Sequence, residues 1–240
     1  MGTGARSGEA HGSYFDRVSA FQEGFDSGPT ACRDEFGGDR QYTQARFSDQ
    51  DLLSNGNASY DQTVGTFVPQ ALPAFWTAAF AGLGRGAFDA PTVTAFSRRA
   101  PSCAADRDED LVYCADRDTV AFDETDLAQP LYRDVGDYGL LTAVAVPYAL
   151  AARDQLGLST ADRAAARSSV CLAGAFTQAV LAGQSEVITI SPGDVDESVR
   201  FLLEYGTQPE VLGDAGLTGF QLVDVFRGGV FEGLPACDLR

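Results

Sequence analysis

The sequence predicts an α+β fold that is mostly helical, with a small sheet preceding a central buried helix. Two observations carry this prediction. The stretch 137–157 is apolar on nearly every side, as expected of a helix that is surrounded by protein. Three short segments rich in β-branched and aromatic residues come before it, and helical patterns follow it. With 240 residues, the chain is long enough to bury a substantial core.

The first part of the chain is predicted to stand outside the main domain. Residues 1–12 are polar and rich in glycine, and they carry the only histidine, His11, so we expect a flexible N-terminus. Residues 13–57 are expected to form a short amphipathic helix, ended by Gly28, and a loop. The remaining residues, 58–240, are assigned to the main domain.

The main domain is predicted to begin with a helix followed by three strands. The helix covers residues 59–82. Pro69 and Pro73 are expected to break it, because proline lacks the N–H group that a helix interior needs. The predicted strands are 91–96, 111–113 and 119–122.

The central helix is predicted to begin with Asp137 as its N-cap and to end at Gly157. Pro147 lies in the interior of this helix, where it removes one backbone hydrogen bond at a cost of about 3 kcal/mol. The apolar run is shorter than the roughly 20 residues that a membrane span needs. We therefore expect a helix that belongs to the protein core.

Three helices are predicted after the central one. The first begins at Ser159 and ends at Gly183, and the small residues within 171–174 would let a neighbouring backbone pack closely. The second begins with Ser191 as its N-cap, followed by a proline that suits the first helical position. The third covers residues 218–228.

The composition limits the classes of partner. The net charge of −17 would repel nucleic acid and anionic membranes, so we expect neither as a partner, and the sequence predicts no transmembrane span. Lysine is absent, so every basic side chain is an arginine, and alanine and glycine are abundant. This composition is typical of a GC-rich, actinobacterial genome.

Five cysteines indicate disulfides and an oxidising compartment. Zinc binding is the rival interpretation, but no Cys-x-x-Cys pair occurs and no histidine lies near a cysteine. Cys103 and Cys114 flank a short loop between two predicted strands, which a disulfide would close. No export signal is visible in residues 1–12. We expect an extracellular or cell-envelope protein, with a cytoplasmic protein carrying reduced thiols as the alternative.

An acidic loop follows Cys103. Asp106, Asp108 and Asp110 alternate like the beginning of a calcium-binding loop. The glycine that makes the sharp turn in such loops and the distal glutamate are both missing here. A solvated acidic loop is therefore the preferred interpretation.

Six segments occur in an order that resembles the bacterial neutral zinc metallopeptidases, a zincin family. They are Cys103, 113–123, the central helix, 170–174, 191–197 and 236–238. The resemblance covers roughly residues 59–238 and implies a zincin-like fold. It also implies a second disulfide between Cys171 and Cys237. Cys32 would then be free, or would compete with Cys237.

The same resemblance implies that the zinc site has been lost. In that family the central helix carries His-Glu-x-x-His, whose imidazoles bind zinc and whose glutamate activates the metal-bound water. These places fall on Val146, Pro147 and Leu150, and the third ligand, an acidic residue, falls on Ala166. None of these side chains can bind a metal or carry a proton. We therefore expect no catalytic residue, no metal and no cofactor.

These observations predict a non-catalytic, metallopeptidase-like binding or scaffold protein of the bacterial cell envelope, with a protein as its partner. A zincin core keeps a cleft beside its edge strand, where an extended peptide could pair by strand addition. At the former metal site, we expect Val146 and Leu150 to fill the space as part of the core; the alternative is an open cleft in which they form an apolar patch for the partner. An accessory structural subunit of a membrane-associated complex is one other function considered. A hydrolase with a non-zinc site is another, although His11 is the only imidazole and lysine is absent.

Overall fold

The computed structural model describes residues 13–35, 47, 56–106, 108–212 and 215–239, which form an α+β protein that is mostly helical with a three-stranded sheet. The helices are α1 Tyr14–Glu35, α2 Val68–Gly82, α3 Gln129–Asp134, α4 Asp137–Gln155, α5 Arg163–Leu181, α6 Asp194–Glu204, α7 Pro209–Leu212 and α8 Gly219–Glu232. The strands are β1 Thr92–Phe96, β2 Leu111–Cys114 and β3 Thr119–Asp123. The predicted flexible end, 1–12, and most of the predicted loop lie outside the described residues.

The sheet confirms the three predicted strands. Its order is β1-β3-β2, with β1 parallel and β2 antiparallel to β3. Because side chains alternate across a strand, each strand contributes to two apolar clusters. Leu111, Val120 and Phe122 join the main core with the helices. Val112 and Ala121 point to the opposite face, where they form a smaller cluster.

The central helix α4 is buried along almost its whole length, as predicted. Its N-cap is Gly136, not Asp137, so the predicted cap was wrong by one residue. Gly136 has a φ of 141° and no side chain to offer as a cap. Gly157 ends the helix with a φ of 74°, as predicted. The helix continues as one element through Pro147, which is buried.

The predicted first residues of α5 and α6 were wrong. In both helices, hydrogen bonds to an aspartate carboxylate explain where the helix begins. α5 begins at Arg163, because the carboxylate of Asp162 accepts a hydrogen bond from the Ala165 N–H at 2.7 Å. α6 begins at Asp194 rather than after Ser191. The hydroxyl and the backbone N–H of Ser191 both donate to Asp194, so the Ser191 side chain does not cap the helix.

Prolines and glycines shape the earlier helices. Gly28 interrupts α1 with a φ of 75°, as predicted, but the helix then resumes and continues to Glu35. Pro69 and Pro73 do not break the next helix, contrary to prediction. A helical turn, Tyr60–Gln62, and a π-helical turn, Thr63–Phe67, lead directly into α2. Pro69 then falls at the beginning of α2, directly after the π-helical turn.

The N-terminal helix α1 contributes to the main core. Phe15 and Val18 are buried there, and the Phe15 ring meets the Phe226 ring of α8 edge to face. A guanidinium nitrogen of Arg227 lies 3.1 Å from the Asp16 carboxylate. These contacts fix α1 on α8. The side chain of Cys32, further along α1, lies outside the described residues.

The structure joins Cys103 to Cys114 and Cys171 to Cys237, which are the two predicted disulfides. The first links the loop after β1 to the end of β2, with 5.5 Å between the Cα atoms. The second joins α5 to the segment after α8, with 5.3 Å between the Cα atoms. Disulfides of this kind typically contribute roughly 2–4 kcal/mol to stability.

The close approach predicted for residues 171–174 is confirmed. α5 and α8 cross with their backbones in contact, at Gly174 on one helix and Gly229 on the other. A Cβ atom on Gly174 would overlap the carbonyl oxygen of Phe226. A Cβ atom on Gly229 would overlap the carbonyl oxygen of Cys171. Only glycine fits at either position without moving a helix.

We predict that Gly229→Ala lowers the free energy of unfolding by roughly 2–3 kcal/mol, because the methyl group would push α8 away from α5. Urea denaturation followed by circular dichroism measures the change. Gly228→Ala is the matched control, since a Cβ atom there meets no heavy atom within 4 Å. That variant should be as stable as the parent or slightly more stable, because alanine favours helix. Equal losses in the two variants would contradict the packing argument.

Candidate functional site

The positions that the resemblance assigns to zinc binding carry apolar side chains. Val146 is 5% exposed, and Pro147 is also buried within α4. Leu150, one turn further on, is half-buried, as is Ala166 on α5. The Val146 side chain belongs to the main core cluster, so this part of α4 serves packing.

A groove nevertheless remains beside the edge strand β1. Its volume is about 310 Å³, and the residues that line it are aliphatic, aromatic or proline. One wall comes from α2 and the turn before it, and the other from β1 and the residues just before it. The lining residues are Val64, Val68, Pro69, Pro73, Ala90, Pro91, Val93, Ala95, Phe122 and Tyr148. Val68, Phe122 and Tyr148 are the most deeply buried of these and belong to α2, β3 and α4, respectively.

The outer edge of β1 carries unpaired backbone groups. Thr92 donates its N–H to the carbonyl of Asp118 at 3.0 Å, so the backbone groups of Thr92 face β3. In a parallel ladder the direction alternates along the strand. The N–H and C=O groups of Val93 and Ala95 therefore face away from β3. Among the described residues, none forms a backbone hydrogen bond with them.

One residue behind the groove, Tyr148, carries a buried polar atom. The phenol oxygen of Tyr148 is buried and has no hydrogen-bond partner among the described residues. Burial raises the pKa of this phenol, so it stays protonated and can donate a hydrogen bond. A buried donor without a partner is uncommon in proteins, but this one is fully buried and is not evidence for a ligand in the groove.

The two ends of β1 differ in charge. Asp118 is next to Thr92. The Tyr113 hydroxyl lies 3.0 Å from the Asp118 carboxylate and 3.1 Å from the Asp154 carboxylate, so the two share its single proton as acceptors. Burial raises the pKa of Asp118, and the charges of Asp89 and Asp154 add to the effect. The N-terminal end of β1 is therefore acidic. The C-terminal end carries both signs of charge, because two exposed arginines, Arg98 and Arg99, follow it and Asp123 of β3 lies beside it.

A second polar site lies at the beginning of α4. Asp137, Asp194 and Glu197 bring carboxylate oxygens within 4.8 Å of one another. We call these residues the carboxylate cluster. The three side chains are 5%, 3% and 9% exposed, respectively. No arginine among the described residues contacts them or lowers their pKa.

Glu197 provides the capping carboxylate for α4 that Gly136, the N-cap residue, cannot provide. Its Oε2 accepts hydrogen bonds from the N–H groups of Tyr138, at 2.9 Å, and Gly139, at 3.3 Å. These amides have no partner within the helix. A Cβ atom on Gly136 would overlap the Glu197 carboxylate, so glycine at the cap position makes room for it. Glu197 belongs to α6, and this contact therefore joins α6 to α4.

The other two carboxylates are held by their own neighbours. Asp194 accepts from the N–H and the hydroxyl of Ser191. Asp137 Oδ2 accepts from the Ala58 N–H at 3.1 Å. Asp137 Oδ1 is buried and has no partner among the described residues.

Burial raises the pKa of all three carboxyl groups. The pKa of Asp194 rises to about 7, with the charge of Asp137 adding to the effect of burial. Burial and the charges of Asp137 and Asp194 raise the pKa of Glu197 to about 8. The pKa of Asp137 is raised by burial as well. The cluster therefore binds protons more tightly than the same residues do in the unfolded chain.

The sequence did not reveal this cluster as a site. Asp137 and Ser191 were interpreted as helix caps, and the segment 191–197 served only as a landmark of the resemblance. The sequence features that could have indicated the cluster are the Ser-Pro-Gly-Asp segment, 191–194, with Glu197 three residues after its aspartate, and Asp137 at the start of the central helix. Their proximity depends on the packing of α6 against α4, which no local pattern shows.

We predict that the free energy of unfolding of the protein in EDTA falls as the pH rises from about 4 to 8. The folded state binds more protons than the unfolded state over this range, because the pKa values of Asp194 and Glu197 are about 7 and about 8 when folded. The stabilisation is complete below the unfolded pKa values, near 4, and is lost as the pH passes 7 and 8. Urea denaturation at several pH values measures the slope. Glu197→Gln should flatten it, and an unchanged slope in that variant would contradict the assignment.

Comparisons with known proteins do not place the chain in a family. No family model, no curated protein and no solved structure matches it. Among the described residues, no helix is long and apolar enough to cross a membrane. The assignment of function therefore depends on the groove, the edge strand and the carboxylate cluster.

Proposed function

We propose that this chain is a non-catalytic, zincin-like protein of the cell envelope that binds an extended segment of a protein partner along β1. The observation that carries the proposal is the unpaired outer edge of β1 beside an apolar groove. Strand addition combines backbone hydrogen bonds, which give affinity, with pockets for alternate side chains, which give selectivity. Both parts of that arrangement occur here on the same strand.

The zincin-like part of the proposal is supported by the order of the elements. A small sheet precedes a long buried helix, and a groove follows the edge strand of that sheet. The two disulfides link segments named in the resemblance. Val146, Pro147 and Leu150 provide no ligand atom on that helix, so the groove would hold a peptide without cleaving it.

The groove indicates what kind of segment it binds. Val93 and Ala95 point their side chains into the groove and their N–H and C=O groups outwards. A partner strand would pair with these outward groups and place every second side chain against the apolar walls. The narrow, proline-lined wall from α2 favours small aliphatic side chains such as valine and alanine.

Charge defines the ends of the ligand. The acidic end of β1, at Asp89, Asp118 and Asp154, would attract a basic side chain. The arginines after β1 would attract an acidic one at the opposite end. The large negative charge of the chain, −17, also favours a partner with a basic segment. Disulfides persist mainly in oxidising compartments, which supports a location outside the cytoplasm.

We predict that Ala95→Pro weakens the binding of extended peptides at least 10-fold. The substitution removes an outward N–H without removing a bond to β3, so the sheet should keep its stability. The probes are fluorescein-labelled peptides that alternate valine and threonine, with arginine at one end and glutamate at the other, in both orders. Fluorescence anisotropy gives the affinity, and the preferred order gives the direction of the added strand.

Ala95→Ser is the matched control for this experiment, because serine keeps the N–H and adds little volume. It should bind the peptides as the parent does. Thermal melts of both variants show whether the sheet is intact. If the parent binds neither peptide order, or if the proline variant binds as well as the serine variant, the strand-addition proposal is wrong.

We also predict that the chain does not hydrolyse peptides, with or without added zinc. The apolar side chains at Val146, Pro147 and Leu150 cannot bind zinc or activate water. Cleavage of fluorescein-labelled casein is the measurement, with a known zinc peptidase as the positive control. Zinc-dependent cleavage that EDTA abolishes would refute the non-catalytic assignment.

A further inference from the structure

The carboxylate cluster at the start of α4 is not explained by capping alone. Glu197 caps the helix, but Asp137 and Asp194 add two more acids within 4.8 Å in the interior. Buried carboxylates are strongly destabilising unless a cation or a proton compensates them. No arginine among the described residues provides that compensation.

One oxygen in the cluster has no partner. Asp137 is 5% exposed, and its Oδ1 has no hydrogen bond among the described residues, although Oδ2 accepts from Ala58. Buried polar atoms nearly always have a partner, so an orphaned carboxylate oxygen among other carboxylates indicates a missing positive group. This observation is independent of the number of acids in the cluster.

The protein holds the other oxygens in fixed positions. Two backbone amides of α4 orient Glu197, and the Asn57 side-chain amide lies 3.4 Å from its Oε1. Ser191 orients Asp194 through both its N–H and its hydroxyl. Glu197 Oε2 already accepts two hydrogen bonds, but Glu197 Oε1 and both oxygens of Asp194 accept one each. A carboxylate oxygen that accepts one hydrogen bond keeps a second lone pair with which it can bind a cation.

We propose that Asp137, Asp194 and Glu197 bind a divalent cation of the calcium type. Hard oxygen ligands suit calcium and magnesium, and the absence of a histidine or a free thiol among the three argues against softer metals. Calcium suits a buried site better, because magnesium demands regular octahedral geometry and usually keeps several waters. The amides at the start of α4 already bind Glu197, so the positive end of the helix dipole is compensated before a cation arrives.

This site is separate from the positions of the lost zinc site. Asp137 lies nine residues before Val146 on the same helix, which corresponds to about 13 Å along the axis. The sequence predicted no metal, and it considered calcium only for the acidic loop at Asp106, Asp108 and Asp110. The proposal does not depend on peptide binding at β1, because no residue of the cluster lines the groove.

A cation site and a purely structural acid cluster predict opposite effects of neutralising Asp137. Without a cation, Asp137→Asn removes a repulsive charge and keeps an oxygen to accept from the Ala58 N–H. The variant should then be at least as stable as the parent in EDTA. With a cation present, the same variant loses a ligand, so it should lose the stabilisation that the cation gives the parent.

The experiment uses the full chain, stripped with EDTA and titrated with calcium or magnesium at pH 7.5, a value chosen near neutrality. Equilibrium dialysis with elemental analysis gives the stoichiometry, and scanning fluorimetry gives the melting temperature. We expect one calcium per chain and a rise in melting temperature of roughly 5–10 °C at about 100-fold excess over Kd. Asp137→Asn should bind calcium at least 10-fold more weakly.

Asp108→Asn is the matched control, since it removes an exposed carboxylate from the acidic loop. It should bind calcium as the parent does. Asp194→Asn removes a ligand from α6, and it replaces Asp137→Asn if that variant does not fold. The proposal is overturned if the parent binds neither cation, or if calcium still stabilises both cluster variants. It is also overturned if Asp108→Asn alone abolishes binding, since the cation would then occupy the loop.

Discussion

The structure depends on one contact, the hydrogen bonds from the first amides of the central helix to the carboxylate of Glu197. A long buried helix must satisfy its first N–H groups without water, and Gly136 brings no side chain to do so. Glu197 satisfies two of them from another helix. The contact therefore decides both where α4 begins and where α6 lies. Any side chain at position 136 would exclude the carboxylate that the helix needs.

The position of α4 in turn sets both candidate sites. Its N-terminal turn forms part of the carboxylate cluster, and Tyr148, three turns further along, lines the groove beside β1. Between them the helix is packed on all sides, and Val146 contributes to that packing. One rigid element thus carries the carboxylate cluster near its beginning and part of the groove lining towards its end. The two sites are chemically unrelated, but the same helix, α4, positions residues of both.

Local patterns predicted what depends on local chemistry. The strands were found because Val93, Val120 and their neighbours are β-branched, and the close helix crossing was found because Gly174 has no side chain. Patterns failed where tertiary contacts compete with local ones. Ser191 has every feature of an N-cap, yet its hydroxyl donates to the Asp194 carboxylate. Asp137 was predicted to cap α4, but its carboxylate accepts a hydrogen bond from the Ala58 N–H instead. The carboxylate cluster could not be predicted, because Asp137 on α4 lies 57 and 60 residues before Asp194 and Glu197 on α6. The three side chains meet only when α6 packs against α4.

The order of these contacts along the chain has a consequence for biosynthesis. Glu197, which caps α4, lies 59 positions after Tyr138. The separation between α1 and α8 is larger still, since Asp16 pairs with Arg227, 211 positions later. At typical rates of synthesis, the central helix emerges roughly 3–12 s before its cap. During that interval an apolar segment lacks both its capping group and its covering helices. The nascent chain is therefore at its most aggregation-prone in the middle of translation, and it becomes protected only when its last helix arrives.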